Sequence, residues 1–376
     1  MKRVAFVSDG WGFGTTTLLA TVSALLEGVA LRRLVGSAKV LDIVWQAFDE
    51  ARAVDPTDEA ALDAALDEVD VVVSCMSVPA TVAAGRRDIP TVYVDGLAWM
   101  WDGPYGGTSR SGHALEPGQT VVRYFVERFP NIERHLAEWC APMPPTEVVG
   151  PIIDEIEGRR REENLLLVNY GGMDSWLMPH DVLDHYVNLT YDLVADAVTR
   201  TRDLRLLVVG GAAAMACLRS RRTDDRASFV SLTHDQYVSA VASATLVVTA
   251  AGLRAVYECI ASGVPTAFLL PQNLSQELTI RQLSKSSAHA GALSWGEIYG
   301  LDDLGAILQP LACAAINESI LRASGDTATR RRVEDGLVAF LEDPEAAAAA
   351  QRDFLDALGP RGGPRVAAYV AELAGG

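Results

Sequence analysis

The stretch Thr249-Ala250-Ala251-Gly252-Leu253-Arg254-Ala255-Val256-Tyr257-Glu258 joins residue types that suit anion and sugar chemistry. The apolar run Leu246-Val247-Val248 predicts a strand that ends at Thr249, turns through small residues and opens a helix near Gly252. The first N–H groups of a helix have no partner within it, and the helix dipole is positive at that end. Such a mouth suits a diphosphate. Glu258 lies six residues after Gly252, roughly on the side of the helix mouth, where a carboxylate can accept bonds from two vicinal hydroxyls such as those of a ribose. The spacing fits a helix with a solvated glutamate equally well. A second glycine turn, Asn169-Tyr170-Gly171-Gly172-Met173-Asp174-Ser175, permits close backbone approach to a ligand, though a plain turn has the same need.

Two loops of the N-terminal half follow predicted strands in the same way. In Ser8-Asp9-Gly10-Trp11-Gly12-Phe13-Gly14-Thr15-Thr16 the glycine spacing is not that of a dinucleotide loop, and no acidic residue closes a second strand. Asp9 is the ionisable group at the strand's end. It reads as a general base, or as a cap for loop N–H groups. The loop from Asp95 to Gly107 carries Trp99 and Trp101, which suit stacking on a flat acceptor, with Asp95 and Asp102 placed to bond its ring N–H or amino groups. Tryptophans that pin the loop to the domain surface are the alternative. No Asp-x-Asp motif stands at a strand end, the six histidines lack ligand spacing, and the five cysteines form no CxxC pair. No metal, no cofactor and a reducing cytoplasm are expected.

The elements that would hold these loops form a repeated pattern. Val4–Val7, Val71–Val73 and Thr91–Val94 read as strands in the first half; Leu165–Val168, Leu206–Val209, Phe229–Val230, Leu246–Val248 and Ala267–Leu270 do so in the second. Uninterrupted apolar strands alternating with helices predict two doubly wound α/β domains with parallel sheets, ligands meeting the loops beyond the strand ends in the cleft between them. The proline-rich Ala141–Pro145 stretch marks the junction: residues 1–150 form an N-terminal domain and 151–376 a C-terminal one, whose last helices, from about 345, pack back on the first. A chain of 376 residues, 49% apolar, can bury two cores. The net charge of -17 argues against a nucleic-acid surface, and no apolar run reaches the length of a membrane span. A homodimer is compatible with all of this.

The segment Leu246–Gln282, with its small-small-Gly helix opening, Glu258, Gly263-Val264-Pro265 and Pro271-Gln272-Asn273-Leu274-Ser275-Gln276, resembles the donor motif of GT-B glycosyltransferases. It is most similar to the UDP-GlcNAc transferase of peptidoglycan assembly and its relatives. The resemblance implies the GT-B fold, two Rossmann-like domains, and a UDP-sugar donor as co-substrate. Carried onto this chain, Glu258 takes the ribose, Gln276 the sugar together with Gln272 and Asn273, and Ala251 and Gly252 the diphosphate. Gly171 and Gly172 match the turn facing the diphosphate, and Leu232 and Thr233 the segment that meets the base through main-chain groups. The loop Gly12-Phe13-Gly14-Thr15 resembles the acceptor-side loop that carries the catalytic histidine in many inverting members. Here Thr15 stands at that position, which leaves Asp9 as the base. Asp9, the Asp95–Asp102 loop and the Gln272–Gln276 segment together resemble the cytosylglucuronate synthase group of nucleoside-antibiotic pathways. That group implies UDP-glucuronate as donor and a cytosine-type acceptor, with Arg254 or Arg281 meeting the donor carboxylate. A nucleotide-sugar hydrolase or epimerase on the same fold, or a non-catalytic partner protein, are the rival readings.

Overall fold

Runs of β-branched and other apolar residues become strands covered on both faces. A computed structural model of the protein describes residues 1–8, 12–55, 57–104, 120–139, 144–156, 160–173 and 177–375. Two units emerge, Met1–Asp154 with Leu358–Gly376, and Glu155–Ala357.

The first unit holds β1 (Arg3–Ser8), β2 (Leu31–Gly36), β3 (Glu50–Ala53), β4 (Val71–Cys75), β5 (Thr91–Asp95), β6 (Val121–Glu127) and β7 (Thr146–Val149). They lie in the order β3-β2-β1-β4-β5-β6-β7, all parallel. Successive side chains of a strand point to opposite faces, and β1 shows the result. Val4 and Phe6 join one core cluster with Leu19, Leu34 and Val73, while Ala5 and Val7 join another with Leu62, Val72 and Ala84.

Four of these strands, β2, β3, β6 and β7, lie outside the runs expected from the sequence, and β2 shows one reason. Its middle holds Arg32 and Arg33, both buried. Arg32 donates through Nη2 to Asp49 Oδ1 at 2.9 Å and through Nε to Asp49 Oδ2 at 3.0 Å. Arg33 Nε meets Glu50 Oε2 at 2.7 Å, and its Nη1 bonds the carbonyls of Ala65 and Asp67. A guanidinium can be buried in a sheet when carboxylates and carbonyls take its donors.

The chain returns to the first unit at its end. The helix Gly363–Leu373 places Val366, Ala367 and Val370 in the cluster with Val4 and Phe6. Its approach needs glycine at both crossing points: a Cβ on Gly150 would sit 1.9 Å from the Pro360 carbonyl oxygen, and one on Gly362 would sit 2.3 Å from the Gly150 oxygen. Arg365 and Glu147 close the crossing with two hydrogen bonds of 2.6 and 2.8 Å. The preceding helix, Pro344–Asp356, belongs to the second unit, where Gln351 bonds both the amide and the carbonyl of Thr266.

In the second unit β8 (Leu165–Asn169), β9 (Arg205–Val209), β10 (Ala227–Val230), β11 (Leu246–Thr249) and β12 (Thr266–Phe268) run parallel in the order β10-β9-β8-β11-β12. The chain winds outward from β8 to β10, then crosses to β11 on the other side of β8. That reversal puts a crevice between the loops after β8 and β11, where ligands of open parallel sheets bind. The equivalent reversal in the first unit falls between β1 and β4. No helix among the described residues is long and apolar enough to cross a membrane.

Gly150→Ala is expected to lower the stability of the chain by roughly 1–3 kcal/mol, the range for forced overpacking, because backbone rather than a flexible side chain meets the new methyl. Gly325→Ala, which meets no described atom within 4 Å, serves as control and should cause no loss. Urea unfolding followed by tryptophan fluorescence measures both.

Candidate functional site

Asn169, the last residue of β8, ties the two crevice loops together. Its Nδ2 donates to Thr249 Oγ1 at 2.9 Å and to the Tyr237 hydroxyl at 3.1 Å, while its Oδ1 accepts from Gly171 N at 2.9 Å. The Asn169 carbonyl accepts from Ala250 N at 2.7 Å, and Gly171 O accepts from Gly211 N at 3.0 Å. Tyr237 also touches Cys259 Sγ at 3.5 Å. Burial pushes the Tyr237 phenol well up and the Cys259 thiol to about 12, so both stay protonated. They brace the crevice floor and supply no nucleophile.

Both crevice glycines face open space. Gly171 has φ +65°, and a Cβ on Gly171 or on Gly252 would meet no described heavy atom within 4 Å. Gly252 caps the helix Leu253–Ala261 and brings no side chain to its first-turn N–H groups. The first turn of that helix can take an anion, with the Gly171 turn leaving space for it. Ala251, beside it, is fully buried.

Glu258 lies deeper on the same helix, 2% exposed. Arg254, one turn earlier and itself buried, sets Nε 2.8 Å from Glu258 Oε1. His234 Nε2, from the helix His234–Ser243, stands 3.6 Å from the same oxygen. In the sequence His234 is one of six histidines without ligand spacing. Only the pairing of β8 with both β9 and β11 places the loop after β10 near Glu258, and no local pattern could show it. Thr233 caps the His234 helix: its Oγ1 accepts from Gln236 N, its N–H donates to Gln236 Oε1, and its carbonyl accepts from Tyr237 N. The cap thus engages the main chain of Thr233 and not that of Leu232, whose side chain packs on the core of the second unit.

The loop after β12 is held from within. Gln276 Oε1 accepts from Gln272 N at 3.1 Å, Gln272 Nε2 reaches the Tyr170 carbonyl at 3.4 Å, and Asn273 Oδ1 caps the helix Leu274–Lys285 through Gln276 N at 3.0 Å. The Tyr170 bond joins this loop to the one carrying Gly171 and Gly172. Arg281 is a brace: with Glu277 it forms an ion pair of 2.7 Å, and it also donates to the carbonyls of Leu301 and Asp302. Glu277, fully buried, accepts from the amides of Trp295 and Gly296 as well. A donor carboxylate would have to displace these partners to reach Arg281.

In the first unit Asp9 lies outside the described residues, as do Gly10 and Trp11. Gly12 caps the helix Phe13–Ala24 in extended backbone; Phe13 and Thr15 are half-buried and Gly14 is exposed. Asp95 ends β5 and is only 1% exposed, accepting from the Tyr124 hydroxyl at 2.6 Å and from Leu97 N at 2.8 Å. Burial pushes its carboxyl up to about 6, against those hydrogen bonds, which pull it down. Trp101 is buried, with its carbonyl accepting from Trp139 Nε1 at 3.3 Å and contacting His135 Nε2 at 2.5 Å. Trp99 stacks on Phe129 at 4.1 Å between centroids. Asp95 and Trp101 are therefore occupied within the unit, and they hold the loop down rather than face outward. Asp102 is the exposed member of the four.

No family model matches the chain, and no curated protein does. Solved structures do resemble it. The kitacinnamycin glycotransferase matches with a TM-score of 0.56 at 14% identity, over 99% of this chain and 98% of that one. The glycosyltransferase SnogD from Streptomyces nogalater gives 0.54 at 15%, over 100% and 99%. The spinosyn rhamnosyltransferase SpnG gives 0.54 at 16%, over the full length of both. At such identities the likeness establishes the fold, which is GT-B: two Rossmann-like α/β domains with parallel sheets.

The raised Asp95 value has a measurable consequence. Because the folded value exceeds the unfolded one, near 4, the folded unit gains a proton between about pH 4 and 6. This group's contribution to stability is greatest below about pH 4 and falls as pH rises through 6. Wild type relative to Asp95→Asn should lose on the order of 2–3 kcal/mol across that window, read from urea midpoints at each pH. A flat difference would show that Asp95 ionises freely.

Proposed function

We propose that the protein is an inverting glycosyltransferase that takes a sugar from a nucleotide-sugar donor held by the second unit. One observation carries the reading: at the topological reversal of that sheet, Gly171 and Gly252 turn side by side with open space before both, and Glu258 lies farther along the helix that Gly252 caps. A diphosphate fits the first-turn amides of the Gly252 helix, with Gly171 leaving room for it, and a ribose diol fits the carboxylate. The likeness to glycosyltransferase structures over the whole chain supports it, as does the nature of their ligands: SpnG has been seen with thymidine diphosphate, and LpCGTa, with a TM-score of 0.53, with UDP.

In the reaction the bond between the anomeric carbon and the β-phosphate oxygen breaks, and the charge growing on the diphosphate is stabilised by the helix mouth. The acceptor nitrogen attacks the opposite face of the anomeric carbon. Its proton passes to Asp9, which follows the last residue of β1 in the first unit. The finer reading, UDP-glucuronate as donor and a flat N-heterocycle such as cytosine as acceptor, rests on the resemblance of Asp9, the Asp95–Asp102 loop and the Gln272–Gln276 segment to cytosylglucuronate synthases. The reaction proceeds without a bound metal, and the cytoplasm is the compartment that fits it.

A thermal-shift screen of nucleotides and nucleotide sugars should show stabilisation by UDP and UDP-sugars, followed by a mass-detected conjugate with cytosine or a related base. Glu258→Ala should weaken UDP by about tenfold or more, the scale of one lost charged hydrogen bond. Asp9→Asn should abolish turnover while UDP still binds; wild-type turnover in that variant removes Asp9 from the chemistry. UDP release without acceptor would point to a hydrolase, and binding of no nucleotide at all would point to a non-catalytic partner.

A further inference from the structure

We infer that Arg254 couples capture of the diphosphate to recognition of the ribose, holding the Glu258 carboxylate until a diphosphate draws its guanidinium away. The inference rests on the donor site proposed above. Arg254 is the second residue of the helix Leu253–Ala261, and side chains on a helix lean toward its N-terminus. Glu258 therefore reaches up over the turn that holds Arg254, and the ion pair of 2.8 Å forms beside the first turn that Gly252 caps. Both residues are more than nine-tenths buried.

Two features make this pair exchangeable. Among the described residues no hydrogen bond of good alignment reaches Glu258 Oε1, so its attachment to Arg254 is chiefly electrostatic. A buried ion pair also carries a desolvation cost that its own attraction scarcely offsets. A diphosphate in the mouth offers the guanidinium more charge and a bidentate partner. Once Arg254 turns to it, Glu258 can offer both oxygens to the 2′- and 3′-hydroxyls, with His234 Nε2 still beside it at 3.6 Å. A nucleoside without phosphates brings no anion to draw Arg254 away, so Glu258 stays with Arg254 and the ribose goes without it. Diphosphate and ribose thus bind cooperatively through one arginine, and a free nucleoside is discriminated against by more than the loss of its phosphate contacts.

Glu258→Gln separates the ideas when UDP is titrated by calorimetry and uridine by ligand-observed NMR, which reads millimolar affinity. UDP should weaken by about tenfold or more and uridine by less than about threefold, because in the uridine complex Glu258 stays with Arg254. Arg254→Met should weaken UDP by a similar factor and tighten uridine, or make its binding detectable. Equal losses on both ligands in Glu258→Gln, or no gain for uridine in Arg254→Met, overturn the coupling. Should Arg254→Met fail to fold, the Glu258→Gln comparison alone decides. Failure of wild type to bind UDP instead refutes the donor site itself, a result distinct from either.

Discussion

The register between β8 and β11, which sets Asn169 beside Thr249, is the constraint on which the crevice depends. A parallel ladder aligns the carboxyl ends of neighbouring strands, so the turn after each emerges at the same edge. Asn169 then spends its whole side chain on the seam, bonding Thr249, Tyr237 and Gly171 at once. With those bonds made, the two glycine turns need no side chains of their own. The Gly171 amide is spent on Asn169, and the first-turn amides of the Gly252 helix are the ones an anion can use.

Among the described residues, three of the four buried carboxyls, Asp95, Glu277 and Glu258, are held in different ways, and each fits a different task. Asp95 accepts from a hydroxyl and from loop amides, with no cation beside it among the described residues, and burial raises its proton affinity; it fastens a loop. Glu277 faces Arg281 and the amides of Trp295 and Gly296, a set that satisfies both oxygens and makes a rigid joint. Glu258 has a cation close by but, among the described residues, no well-aligned hydrogen bond on Oε1. A carboxylate with one oxygen held chiefly by charge is the one a ligand can take over, because little directional bonding on that oxygen is lost when it moves.

Arginine serves as a structural cross-brace throughout. Arg32 and Arg33 fasten the edge of the first sheet to the loops around β3, and Arg365 locks the returning C-terminal helix to Glu147 on β7. These contacts explain the difficulty of reading β2, β3 and β7 from composition. A strand is recognised by apolar continuity, and LRRLVG or EARA lack it because their polar atoms find partners on neighbouring strands. The same long-range pairing allows Gly150 and Gly362 to cross at a distance no other residue type permits.

By itself the sequence determined the alternation of buried strands and helices, hence the two doubly wound sheets, and the small-residue turn that opens the Gly252 helix. These are local properties: a run such as Val71-Val72-Val73 must be buried on both faces wherever it lies, and a helix start exposes amides whatever surrounds it. Tertiary structure decided which side chains meet there. It paired Glu258 with Arg254 and His234, committed Arg281 to Glu277, and turned Asp95 and Trp101 inward. Those outcomes depend on strand order and on competition among partners far apart in the chain, and neither is written in any stretch of neighbouring residues.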